Sequence, residues 1–243
     1  MGLTREREQA AGKIMVALDY ADAASAERLL NELEGIPCYM KVGMQLFYAA
    51  GPAFITGLKE RGYLVFLDVK MHDIPNTVKG GSGSVTRLGV DMFNVHAAGG
   101  SAMLAAAVEG MEAALAVGQK KPSIIAVTQL TSTNQAMLNE QIGIAGTVEQ
   151  AVLRYAELAR AAGLNGVVAS PAEVQAIKQA CGASFQTVTP GIRPKGADVG
   201  DQSRIMTPAE ALKQGTDYMV IGRPITAAAN SRAVLEAIIE ELI

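Results

Sequence analysis

The chain has 243 residues, 49% of them apolar, and its 21 Lys and Arg stand against 24 Asp and Glu for a net charge of −3. That length suits one large domain with a sizeable core, and the slight acidity lacks the basic surplus of a nucleic-acid binder. No apolar run reaches the ~18 residues of a membrane span, the polar start "MGLTREREQAAGK" does not read as a secretory signal, and Cys38 and Cys181, far apart and without ligand-type spacing, read as buried, reduced thiols of a cytoplasmic protein.

Taken in chain order, short β-type runs alternate with helical patterns. "KIMVALD" (13–19) reads as a first strand. The helical stretch "DAASAERLLNELEG" follows, opened by a capping Asp22 and closed by Gly35. "CYMKVG" (38–43) and "YLVFLDVK" (63–70) are the second and third strands. "KGGSGS" (79–84) then stands where the third helix should run. It resembles a flexible linker, yet the alternation continues on both sides of it. A weak helix whose small residues permit close packing is the better reading, although each glycine costs a helix roughly 1 kcal/mol. "DMFNVH" (91–96) and "SIIAVTQ" (123–129) continue the series, followed by a long connection, "LTSTNQAMLNEQIGIAG" (130–146), of a length that often carries function. A helix, "TVEQAVLRYAELARAAG", and the strands "NGVVAS" (165–170), "SFQTVTP" (184–190) and "DYMVIG" (217–222) complete it. Eight such units predict a single (β/α)8 barrel over residues 1–243, with a doubly wound open sheet as the alternative.

Side chains alternate faces along a strand. In the third strand Phe66, Asp68 and Lys70 share one face, and Val65, Leu67 and Val69 the other. If the apolar face meets the helices, Asp68 and Lys70 point into the barrel at its C-terminal end. Asp19 ends the first strand, Lys41 lies near the end of the second, and His96 ends the fourth. One such charge could be a solvated strand terminus, but four strands in a row place polar residues at the rim where barrel enzymes build their sites. The seventh and eighth strands end in "TPGIRP" and "VIGRP". Gly191 and Gly222 let backbone N–H groups approach a ligand, and Arg193 and Arg223 suit an oxyanion, at the usual phosphate position of this fold. "GRP" is also what a helix start with proline in its first turn looks like.

These motifs resemble a known family. "DVKMHDIPNT" (68–77) is similar to the D-x-K-x-x-D-I-P-x-T signature of the orotidine 5′-monophosphate decarboxylases. "ALD" (17–19), "KVG" (41–43), "NVHAAGG" (94–100), "VTQLTS" (127–132), "VTPGIR" (188–193), "DQSR" (201–204) and "VIGR" (220–223) follow that family in order, along nearly the whole chain. The resemblance implies conversion of orotidine 5′-monophosphate to uridine 5′-monophosphate and CO2 by a carboxy-lyase with no cofactor and no metal, in pyrimidine biosynthesis. Lys41, Asp68, Lys70 and Asp73 would be the charged quartet at the reacting carbon, with Lys70 the proton donor. Asp73 would come from the other subunit of a homodimer, with Ile74 and Thr77 beside it. Asp19 and Lys41 would bind the ribose, Thr131 would lie near the pyrimidine, and Gln202, Gly222 and Arg223 would hold the phosphate. Arg193 would support a closing loop over 193–203, where Gly196 and Gly200 suit a lid. His72 and His96 are not catalytic in that pattern and read as partly buried structural histidines. The nearest rivals are sugar-phosphate enzymes of the same superfamily, such as 3-keto-gulonate 6-phosphate decarboxylase or hexulose phosphate synthase, which use Mg2+. A rival from another class is a non-catalytic phosphometabolite sensor. Lys41 and "DQSR" favour the nucleotide enzyme over the first, and the intact quartet argues against the second.

Overall fold

The computed structural model describes residues 4–194 and 206–243. Among these, eight parallel strands close into a barrel in chain order: β1 (Ile14–Ala17), β2 (Tyr39–Gly43), β3 (Leu64–Met71), β4 (Met92–His96), β5 (Ser123–Val127), β6 (Gly166–Val168), β7 (Gln186–Thr189) and β8 (Tyr218–Ile221), with β8 paired back onto β1. Helices cover the outside: α1 (Arg5–Ala11), α2 (Ala23–Leu33), α3 (Met44–Glu60), α4 (Pro75–Arg87), α5 (Gly100–Ala114), α6 (Val148–Ala161), α7 (Val174–Cys181), α8 (Pro208–Lys213), α9 (Arg223–Thr226) and α10 (Ser231–Glu241). This is the (β/α)8 architecture expected from the eight alternating units. The helix caps are those legible in the sequence. The Asp22 side chain accepts from the Ser25 N–H at 2.8 Å, and Thr147 and Gln150 form a reciprocal capping box at the start of α6.

Alternation along the strands divides the apolar residues into two sets. Ile14, Val16, Val65, Leu67, Phe93 and Val95 face outward and pack under the helices. Met15, Tyr39, Phe66, Met92, Ile125 and Val188 form a separate cluster inside the barrel. A parallel sheet buried on both faces needs apolar residues at both sets of positions, so a polar residue on the inner face is informative.

At the N-terminal rim the strands are tied by a recurring device. Gly89, Gly163 and Gly215, with φ of 75°, 86° and 92°, turn the chain back toward the barrel. Two residues after each stands Asp91, Asn165 or Asp217. Each side chain accepts a backbone N–H from the preceding strand: Val65 at 2.8 Å, Ile124 at 2.8 Å and Thr187 at 2.7 Å. Two of the three recruit a lysine from a covering helix. Lys59 of α3 pairs with Asp91 and donates to the Tyr63 carbonyl, and Lys178 of α7 pairs with Asp217 at 2.6 Å and donates to the Phe185 carbonyl at 2.8 Å. The two clamps sit four strands apart.

"KGGSGS" lies inside α4, so the helical reading holds. The reason is its neighbour α5. A Cβ on Gly110 would stand 2.0 Å from the Lys79 carbonyl oxygen, and one on Gly83 would stand 3.1 Å from the Gly110 carbonyl oxygen. The backbones of α4 and α5 approach too closely for larger residues.

Cys38 and Cys181 are both free and buried, and burial pushes the Cys38 thiol up to about 12, which leaves it protonated and unreactive. Among the described residues, no helix is long and apolar enough to cross a membrane.

Candidate active site

The C-terminal ends of the strands open onto a cavity of about 580 Å3. Its floor is the inner apolar set, including Phe66, Val127, Val168, Val188 and Val220. Its wall carries Asp19, Lys41, Asp68, Lys70, Thr131, Arg193, Gly222 and Arg223, eight of the residues singled out from the sequence.

Four of these form a chain of alternating charge. Lys41 Nζ lies 3.3 Å from Asp19 Oδ1 and 3.4 Å from Asp68 Oδ2, and Lys70 Nζ lies 2.6 Å from Asp68 Oδ1. Strand register explains the order. Lys41 pairs with Phe66, one inward position before Asp68, and Ala17 of β1 pairs with Lys41, which brings Asp19 over it. Burial pushes the Asp68 carboxyl up. The ammonium groups of Lys41 and Lys70, with hydrogen bonds from Lys70 and Asn94, outweigh burial and hold it below the usual carboxylate range. Asp68 is therefore ionised at neutral pH although its side chain is only 14% exposed.

The strand carrying Asp68 and Lys70 is irregular there. Phe66 and Leu67 pair with Met92 and Phe93, but the next pairing is Met71 with Val95, so β3 spends four residues where β4 spends two. Lys70 has φ of 50°, the one positive φ at a non-glycine residue among the described residues. Asp68 and Lys70 still share the inner side, as the alternation implied.

Asp73 does not join the chain of charges. It is exposed, and its carboxylate accepts its own neighbour's N–H, that of Ile74, at 2.6 Å. Ile74 and Thr77 are exposed as well. Arg193 is buried and donates to the Ile192 carbonyl at 3.0 Å. Gly222 precedes α9, whose first residue is Arg223 and second Pro224, so the helix-start reading of "GRP" and its place at the cavity both hold. Gln202, Gly196, Gly200 and most of the 193–203 loop lie outside the described residues. His72 is exposed, which corrects the expectation that it is partly buried, because it lies beyond the end of β3. His96 is half-buried with its ring 5.5 Å from that of His72. Burial, with His72 and Lys70 nearby, pushes its pKa down, while Asp68 opposes this. Among the described residues, no group of three His, Cys, Asp or Glu side chains is placed to hold a metal ion.

Sequence reasoning missed Asn94. It is fully buried and hydrogen-bonded to both Asp68 and the Lys70 backbone, at 2.7 Å each. The available signal was its place on β4: Met92, Asn94 and His96 share the inner face, and an amide there has no place in an apolar layer. Gln129 and Ser132, which also line the cavity, were missed beside Thr131.

The chain as a whole is similar to known proteins. The model of the "Orotidine 5′-phosphate decarboxylase / HUMPS family" matches residues 12–238. The chain is similar to the orotidine 5′-phosphate decarboxylase of Moorella thermoacetica, 54% identical over 97% of this chain and 94% of the relative. It is 52% identical to that of Bacillus cereus over 89% of this chain and 91% of the relative. Among solved structures, orotidine 5′-phosphate decarboxylase from Lactobacillus acidophilus superposes with a TM-score of 0.86 at 39% identity, covering 94% of this chain and 98% of that one. An uncharacterized conserved protein from Geobacillus kaustophilus gives 0.85 at 43% identity, over 95% and 100%.

Proposed function

The chain belongs to the orotidine 5′-phosphate decarboxylase / HUMPS family, and we propose that it is a carboxy-lyase converting orotidine 5′-monophosphate to uridine 5′-monophosphate and CO2 in cytoplasmic pyrimidine synthesis. The observation that carries this reading is the row Asp19–Lys41–Asp68–Lys70 above an apolar floor. In this reading a flat pyrimidine lies against the floor with its substituted edge toward the charges.

Breaking the bond from carbon 6 to the carboxylate leaves the electron pair in the ring plane, where no π-system spreads it. In the proposed reaction the protein's own charges stabilise it and no cofactor takes part. The Lys70 ammonium attracts the developing carbanion and then transfers a proton to carbon 6; solvent restores the proton to Lys70. Because the ammonium is already oriented by Asp68, little reorganisation is needed when the charge appears. Asp68 also repels the substrate carboxylate more than departing CO2, a smaller contribution. Asp19 and Lys41 hold the ribose hydroxyls, Thr131 lies beside the ring, and Gly222 and Arg223, with Gln202, take the phosphate. Arg193 supports the segment that follows it. Phosphate binding far from carbon 6 lowers the barrier by fixing the substrate against the charges.

The family also contains the sugar-phosphate branch. Lys41 favours the nucleotide reading, since its ammonium stands between Asp19 and Asp68 and offsets both carboxylates. We further propose a homodimer in which Asp73, Ile74 and Thr77 complete the partner's site. Their exposure, with that of Met44 and Tyr48 at the same end of the barrel, supports it.

The test is to mix purified protein with orotidine 5′-monophosphate in excess chelator and follow the orotate chromophore. It should disappear with stoichiometric uridine 5′-monophosphate. A protein that needs added Mg2+, or that leaves the nucleotide intact, would sink the reading.

A further inference from the structure

Between β3 and β4 the barrel gives up part of its backbone ladder, and one side chain stands in for it. Where β3 bulges, the Asn94 amide reaches across. Its Oδ1 accepts the Lys70 backbone N–H at 2.7 Å, and its Nδ2 donates to Asp68 Oδ1 at 2.7 Å. The same Asp68 oxygen accepts from Lys70 Nζ at 2.6 Å. The two partners dictate the amide's orientation, since a flipped amide would set donor against donor and acceptor against carboxylate. Few side chains fit both partners. Aspartate lacks the donor and would repel Asp68, and leucine has the volume but neither group. Lys70 sits at φ of 50°, a conformation that lysine holds only when its surroundings impose it. Asn94 is fully buried and does not line the cavity.

We propose that Asn94 is a positioning residue for the decarboxylation: it holds the backbone of Lys70 and the carboxylate of Asp68 as one unit and never touches the substrate. This rests on the functional reading given above. The groups facing Asp68 are Lys41 on β2, with Asp19 behind it, Lys70 on its own strand, and Asn94 and His96 on β4, with His72 beside His96. Of these only Asn94 donates a neutral hydrogen bond to the carboxylate. Loss of that donor favours the protonated carboxyl, so the acid limb of the kcat profile moves to higher pH.

The test compares the wild type with Asn94→Leu, which keeps the volume, and Asn94→Ala, which leaves room for a water. Active sites are counted by uridine 5′-monophosphate binding. Per binding-competent site, Asn94→Leu should lose about 100-fold in kcat with KM within about threefold, and its acid limb should move upward. Asn94→Ala should lose less in kcat, because a water can replace the amide. A merely structural residue would lower Tm and the count of binding sites and leave kcat per site and its pH limb in place. If kcat per site stays within about threefold of wild type in whichever variant folds, the inference is wrong. A wild type that fails to decarboxylate the nucleotide would instead overturn the parent reading.

Discussion

Both rims of the barrel are built from lysine–aspartate pairs, and they use them oppositely. At the N-terminal rim Asp91 and Asp217 each accept a strand N–H as well as a lysine, and Lys59 and Lys178 each also donate to a backbone carbonyl. Each of these four charges also binds main chain, and the result is closure. At the C-terminal rim the charges meet each other and the Asn94 amide, and their remaining faces look into the cavity. The same ion pair becomes a staple or a field depending on whether backbone or empty space completes its coordination.

That contrast can be broken first at Lys70. Lys70→Ala should lose at least about 1000-fold in turnover while the melting temperature hardly moves, because the ion pair's remaining face is open to the cavity. Mixing it with Asp73→Ala should rebuild one intact site in each mixed dimer and recover about a quarter of wild-type activity. No recovery after proven subunit exchange would mean the site is not shared.

A change between the rims tests how far packing strain travels. Gly110→Ala forces a methyl group against the Lys79 carbonyl, so α4 and α5 must part. We expect a loss of up to about 3 kcal/mol in chemical denaturation. Since α4 begins just after Asp73 and Ile74, activity should fall by less than about tenfold. Unchanged stability would show that the helices are not held at this distance.

The smallest effect belongs to the N-terminal rim. Asp217→Ala removes the ion partner of Lys178 and strands the Thr187 N–H, at a cost of about 2 kcal/mol, seen as a Tm lower by about 4–8 °C. Turnover per site at room temperature should not change. A fall in kcat without a fall in Tm would show that the two rims are coupled after all.

The barrel was legible because each strand is a short apolar run between glycine- or proline-marked turns, and Asp19, Lys41, Asp68 and Lys70 were legible because charge on an apolar strand is costly. Other features were hidden for physical reasons. The helix over "KGGSGS" is decided by contact with Gly110, some thirty positions on, so local propensity argues against it. Asn94 is neutral, and an uncharged amide in a strand gives no alarm unless its face is tracked. The clamps at the N-terminal rim join helix lysines to aspartates 32 and 39 positions away, and only the closed barrel brings them together. The bulge at Lys70 leaves no trace in residue types, because lysine is not a residue that advertises positive φ.

That last feature bears on anyone who tries to improve this protein. At φ of 50° glycine would sit without strain, whereas lysine pays about 1 kcal/mol for the left-handed backbone. A library sorted only for heat tolerance would therefore tend to tolerate, and could enrich, glycine at position 70, discarding the proposed proton donor. Such a screen calls for a parallel readout of the proposed decarboxylation, so that a position whose backbone favours glycine is also judged by its proposed chemistry.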